Sequence, residues 1–540
     1  MFRLVFGLAV LAIFSGCLDR RRPVTTTSAE QNTAKMEQAI DILNYVAGLM
    51  NNPVESDSVE STSWDIVDYN QAARRALESG VPPALVAQLN QWIVLQSPLA
   101  DWQRDPLVKT LPRRLWGLPQ VEDLAAMGFS PPDGIDLRQA IWLRDASNWA
   151  AGSTQDDLER ASKIFDWVVR NVQLDAPYDD EAIRRQTWQT LLLGHGPAID
   201  RSWLFMLMAR QQGLDVVMLA EKGGDDETCE DWLPALFHEG ELYLFEPTLG
   251  LPLPGAGGKG IATLSQVAAD ASILKQLDLD AEHRYENTPA DLQNLIVRLE
   301  ASPMYLSQRM ALLESQLAGE QSVVLSFEPS ALAQRLLATK QVADVRLWPA
   351  PYERIEQHAL MGRKGRETLA AEFEPFMVPF PRQLKKKVEL IPALWKGRVR
   401  HLLGQFEEED GAMSYYLLAR PPDNTIAKGP ALTEVEMKDL RGRVPPDEWE
   451  ASARRFMELA PVAKHDASYW LGLVAFESKN YRTAANYFSK RTLDKDPNSP
   501  WRSGALYNLA RAEEALERFP DAIELYQQID SPQRHGNLLR

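Results

Sequence analysis

The residues best suited to covalent chemistry gather between Gly194 and Glu246: His195, Asp200, Ser202, Cys229, His238 and Glu246. A cysteine attacks a carbonyl when a histidine takes its proton and an acid orients the imidazole. Cys229 is the one thiol in this stretch, within "GGDDETCED". Asp225, Asp226, Glu227, Glu230 and Asp231 surround it, and negative neighbours disfavour a thiolate. It reads as an incidental loop thiol. His195 stands in the glycine-rich turn "GHGP", either as a turn histidine or as an orphan base. Ser202 has no evident triad, and His238 falls in a hairpin turn that faces solvent. Asp200 suits the start of a helix. The seven histidines show no metal-ligand spacing, so neither metal nor other cofactor is expected. "PGAGGKGIAT" fails as a phosphate loop, because Gly260 follows Lys259 and Leu253 stands where the first glycine is needed.

These residues need elements to hold them. "DDLERASKIFDWVVRNVQL" places Ile164, Trp167, Val168 and Val172 on one face of a helix with acidic residues at its head. A second helix is predicted over 198–212, stopped by Gly213, with a strand over 215–220 following directly. Residues 232–237 and 242–245 alternate as a β-hairpin turned at His238–Glu241.

This order of elements, from "IFDWVVRNVQL" through "DRSWLFMLMARQQG" and "LDVVML" to "LYLFEPTLG", resembles the transglutaminase-like fold of the papain-like superfamily. The resemblance covers about residues 156–255, within a domain expected at 151–265. In active members a cysteine opens the central helix, a histidine opens a later strand, and an aspartate follows. The resemblance puts the cysteine on Ala198, the histidine in the window Glu230–Trp232 and the aspartate on Glu246. It therefore implies a degenerate site with no catalytic residue of its own, which weighs against an enzyme without deciding the question. The alternative is an amidase, peptidase or transglutaminase with a displaced nucleophile.

Near the C-terminus a motif recurs. Leu471, Gly472, Ala484 and Phe488 are answered by Leu509, Ala510, Ala522 and Tyr526, with Ala484 and Ala522 38 residues apart. The pattern resembles tetratricopeptide repeats over 451–540, whose paired helices stack into protein- or peptide-binding surfaces. Leu403, Ala412, Tyr416 and Ala419 form a weaker echo. A helical region is predicted over 35–150, where Met36, Ile40, Ile42, Leu43, Val46 and Leu49 fall at helical spacing. It includes two helices in 69–95 and an irregular, proline-rich connection over 98–136. Residues 266–450 read as mixed helical, with a small α/β element at 321–348: strand 323–327, helix 329–338, strand 345–348. The fold class is α+β, mostly helical.

The chain has 540 residues, enough for several domains, and a net charge of −17, which argues against a nucleic-acid partner. "MFRLVFGLAVLAIFSGC" has the layout of an export signal, Met1 to Gly16, too short to span a membrane as a mature helix. Its Ser-Gly-Cys end resembles the lipobox of bacterial lipoproteins, which implies lipidation of Cys17 and attachment to a membrane through the N-terminus. Residues 17–34 then form a polar tether. The expectation is a lipid-anchored, extracytoplasmic protein of a bacterial envelope (periplasm). Its repeats take a protein or peptide partner as a binding scaffold or as a constitutive subunit of an envelope assembly.

Overall fold

The computed structural model describes residues 35, 37–46, 83–179, 182–223, 229–384, 387–429, 446–528 and 530–540. The expected leader, Cys17, the tether, Met36, Leu49 and most of 69–95 lie outside them. Among the described residues no helix is long and apolar enough to cross a membrane.

The fold is α+β and mostly helical, built on a mixed six-stranded sheet. Its strands are β3 (Asp215–Lys222), β4 (Cys229–His238), β5 (Glu241–Glu246), β6 (Leu251–Pro252), β7 (Leu295–Leu299) and β8 (Val342–Leu347). Their order is β6-β5-β4-β3-β7-β8, with only β7 and β8 parallel. A separate two-residue pair, β1 (Gln173–Leu174) and β2 (His195–Gly196), runs parallel beside it. Glu239 and Gly240, both at positive φ, make the tight β4–β5 turn.

Both sheet faces are covered, which is why the middle of β3, residues 216–220, is apolar without a break. Val216 and Met218 face one core and Val217 and Leu219 the other. The first face receives α1 (Pro131–Ala151), α2 (Asp157–Asn171) and α4 (Ala198–Gln211). Phe165 of α2, Phe205 of α4 and Phe245 of β5 lock there, with centroids 4.9–5.2 Å apart. On the opposite face lie the short turns of 106–125, Leu264, Val267 and the helix Pro329–Leu336.

Three expectations change. The sheet does not stop at residue 265, because β7 and β8 extend it beyond β3, and "NLIVRLE" supplies β7. Val323–Phe327 is extended but pairs with no strand. Side chains satisfy its backbone instead: Gln211 bonds both N–H and C=O of Val324, and Glu314 accepts from the amides of Leu325 and Ser326. The connection over 98–136 ends early, since α1 begins at Pro131 behind a Ser130–Asp133 capping box.

A separate antiparallel ribbon, Pro379–Leu384 with Lys387–Pro392, leads into a stack of helical hairpins. α6 (Ala393–Leu402) pairs with α7 (Ala412–Leu418). α8 (Pro446–Glu477) pairs with α9 (Tyr481–Asn486), which runs on as a wider coil to Leu493. α10 (Arg502–Ala515) pairs with α11 (Phe519–Gln528), and α12 (Arg534–Leu539) closes the end. Each hairpin turns on a residue with positive φ, namely Gly404, Lys479 and Glu517. In each the amide that follows it bonds back five residues: Gln405 to Arg400, Asn480 to Ala475, Arg518 to Glu513. Seven residues before each turn stands a small residue, Gly397, Gly472 or Ala510. A Cβ on Gly472 would come within 2.5 Å of the Phe488 ring, and one on Gly397 within 2.6 Å of Tyr416. Leu471, Ala484, Phe488, Leu509, Ala510, Ala522 and Tyr526 are all buried, as are Ala412, Tyr416 and Ala419. α7 packs on α8, and α9 on α10.

Candidate functional site

The head of α4 is where chemistry was sought. Pro197 precedes the helix and Ala198 is its first residue. Gly196 leaves room below it: a Cβ there would meet Thr190 at 3.0 Å and the Asp200 carboxylate at 3.1 Å. Asp200 does not cap the helix. It is buried and accepts hydrogen bonds from Tyr178 Oη (2.7 Å) and Thr190 Oγ1 (3.0 Å). Arg354, from α5 (Ala350–Leu360), completes the shell at 3.0 Å, both side chains being almost fully buried. Burial, with the negative Asp200 beside it, pushes the Tyr178 hydroxyl up. Ser202 is spent on a back-bond to the Ala198 carbonyl (2.9 Å).

The histidine window is wired to the same place. Asp231 pairs with Arg298 and accepts from Trp348 Nε1 at 2.8 Å. Trp348 sits edge-on to Trp203 of α4, and the Arg354 guanidinium lies 5.4 Å from the Trp203 ring. Asp231, Trp348, Trp203, Arg354 and Asp200 thus form one continuous run of contacts.

Glu246, at the end of β5, is 1% exposed. It accepts from the Thr248 amide (3.0 Å), Asn287 Nδ2 (3.1 Å) and the Tyr285 hydroxyl. Burial pushes its carboxyl up against these bonds. Trp232 donates to the Asn287 carbonyl (2.7 Å), so residues 285–287 strap the acid over. Glu246 thus spends its carboxylate on a phenol and an amide, and no imidazole is among its hydrogen-bond partners.

Cys229 is not in a loop. It opens β4 opposite Lys222, half-buried, and its carbonyl accepts from Arg298 (3.2 Å). All seven histidines are engaged elsewhere. His195 meets Asp175, His238 lies 3.4 Å from Asp157, and His283 bonds Asp280. His358 bonds the Arg184 carbonyl, His401 meets Arg398 and Tyr416, His465 bonds Ser499, and His535 the Leu277 carbonyl. His238 closes β4 rather than standing in the turn, and it is only 30% exposed. Among the described residues no group of His, Cys, Asp and Glu is placed to hold a metal ion.

One pair went unread. Asp175, just after β1, bonds His195 Nδ1 at 2.6 Å, both side chains about 30% exposed. Burial pushes the Asp175 carboxyl up, but the His195 bond and the charges of His195, Arg185 and Arg201 prevail and hold it below the usual range. The two residues lie 20 positions apart, and only the β1–β2 register joins them. Arg354 was equally hidden, because a lone arginine in "APYERIEQHAL" reads as a solvated helix charge.

The hairpins meet this unit through their first helices. Arg398 of α6 donates to the Leu191 and Leu192 carbonyls at the end of α3 (Thr187–Leu193), at 2.8 and 3.0 Å. Glu477 of α8 pairs with Arg170 of α2, Asn508 of α10 donates to the Arg170 carbonyl, and Arg511 pairs with Asp166. Gly194 closes α3 at φ 76°, and any Cβ there would lie 3.3 Å from Arg398 and 3.5 Å from Trp470. No family model, no curated protein and no solved structure matches the chain.

Proposed function

We propose that this is a non-catalytic scaffold: a transglutaminase-like shell that has lost its chemistry, braced by tetratricopeptide-type hairpins. It is held outside a bacterial cytoplasmic membrane by a lipid on Cys17. The observation that carries the reading is the head of α4. Ala198 offers no nucleophile, and the polar groups around it, Asp200, Tyr178, Thr190 and Arg354, are spent on one another. A working acyl-transfer site holds its nucleophile, base and orienting acid in one line. Here the acid is strapped by Tyr285 and Asn287, and the base position belongs to a carboxylate and an indole.

The first helices of the hairpins are occupied by the chain's own α/β unit, so a protein partner meets the second helices. α11 presents Phe519 and Ile523 there, 57% and 56% exposed. The enzyme alternative draws on one observation, the Asp175–His195 pair three residues before Ala198, which has an oriented imidazole but nothing to activate. Both readings meet in one assay: the intact chain offered amide, ester and amine-acceptor substrates beside Cys229→Ala and His195→Gln. The expected result is no turnover in any of the three. Turnover in the intact chain that His195→Gln abolishes sinks the scaffold reading.

A further inference from the structure

The seam between the α/β unit and the helical hairpins holds four titratable side chains that the scaffold reading leaves unused: Asp175, His195, His465 and Asp466. Asp466 of α8 is 8% exposed and accepts from Trp501 Nε1 at 2.6 Å. Among the described residues no lysine or arginine pairs with it. Trp501 ends the loop between the second and third hairpins. Its ring stacks on Tyr469 at 4.5 Å, and the His195 ring meets it edge-on at 5.9 Å. The same loop is pinned from the α/β side. Gln173 of β1 donates to the Pro500 carbonyl and accepts from the Gly504 amide, each at 2.8 Å. It is pinned from the hairpin side by His465 on Ser499. A buried carboxylate hydrogen-bonded to an indole N–H at a docking seam, with the His195 ring beyond that indole, is poorly compensated when charged and well placed when neutral.

We propose that docking of the hairpins on the α/β unit is proton-linked through Asp466: proton uptake at mildly acidic pH tightens the seam, and proton release towards neutrality loosens it. Burial supports this by pushing the Asp466 carboxyl up to about 6, against the Trp501 bond and the charge of His195. A carboxyl raised in the folded state stabilises it fully below the ordinary aspartate value. That contribution is lost as pH rises through about 6. Two other charged groups lie at the seam. Asp175 is held ionised by His195, Arg185 and Arg201 despite burial, and it stays so across the window. His465 is pushed down by burial, partly opposed by Asp496, and loses stability as pH falls. That opposing contribution is common to the native chain and to variants at Asp466, so it cancels in their comparison.

The test is hydrogen exchange at the Gly504 amide, corrected for intrinsic rate, beside melting curves from pH 5 to 8. Asp466→Asn keeps an acceptor for Trp501 and removes the charge. At matched pH, the ratio of Gly504 protection in Asp466→Asn to that in the native chain falls about tenfold from pH 7.5 to 5, the equivalent of about one unit of pKa difference. Equal slopes in the two proteins overturn the proposal. Trp501→Phe is the second variant, should the first not fold. It removes the indole donor and steepens the pH dependence; an unchanged slope there also overturns it.

Discussion

Two buried arginines, one in each half of the molecule, do the same work from opposite sides of the seam. Arg201 belongs to α4 and donates to the Val169 and Val172 carbonyls at the end of α2, to the Pro247 carbonyl and to Gln533. Arg398 belongs to α6 and covers the last carbonyls of α3. Among the described residues neither pairs with a carboxylate, and burial pushes the Arg201 guanidinium down to about 10 and lowers that of Arg398. Each stays charged near neutrality because helix C-termini present partial negative charge and unmet carbonyls. The difference lies in reach. Arg201 caps a helix 29 residues away, whereas Arg398 caps one 206 residues away. The hairpins are therefore part of how the α/β unit satisfies its own backbone, not an appendage to it.

The comparison breaks most sharply under truncation. A chain ending before Pro461 keeps Arg398 but loses Glu477, Asn508, Arg511 and Gln533, and exposes the flank of α2. The expected outcome is loss of the cooperative near-ultraviolet transition of the α/β unit. A truncated chain that melts like the intact one would show the two halves to be independent. Next come the arginines themselves. Arg398→Met and Arg201→Met each leave buried carbonyls unmet, for about 3 kcal/mol from two groups at 1–3 each. Arg201→Met is the costlier, because it also frees Pro247 and Gln533. Urea denaturation orders them, and the reverse order refutes the accounting. Gly472→Ala forces the Phe488 ring to shift, at about 2 kcal/mol within the range for overpacking. Should this substitution prove neutral, the close helix approach is not what the glycine serves. The smallest effect has the opposite sign: Lys479→Gly relieves a left-handed residue and stabilises by about 0.5 kcal/mol, visible as a small rise in midpoint.

What was legible follows from periodicity. α2, α4 and the β3–β5 run stand within a few residues of their expected limits: α2 has one strong apolar face, and α4 and β3 are apolar runs bounded by glycine or charge. The recurring motif of the last two hairpins was equally plain, since small residues and aromatics repeat at fixed offsets. β7 escaped notice because five buried residues in a row carry no alternation. Val323–Phe327 misled for the converse reason: its composition suits a strand, but the distant side chains of Gln211 and Glu314 take its backbone. At the head of α4, a side chain without a nucleophile could be read from one letter, Ala198. The contacts around it could not. Arg354, Asp175, Tyr285 and Asn287 act through tertiary contacts with no local signature, and each looks like a surface residue in its own segment.

The long reach of Arg398 also sets a timetable. A chain made from its N-terminus outward has α2, α3 and α4 in hand long before residue 398 exists, and Gln533 comes later still. Until then the end of α3 keeps bare carbonyls, and the flank of α2 stays open to water or to other chains. Closure of this fold is thus a late, non-local event, of the kind that slows folding and lengthens exposure to aggregation. The end of α3 and the flank of α2 are completed by residues that lie two hundred or more positions further along the chain.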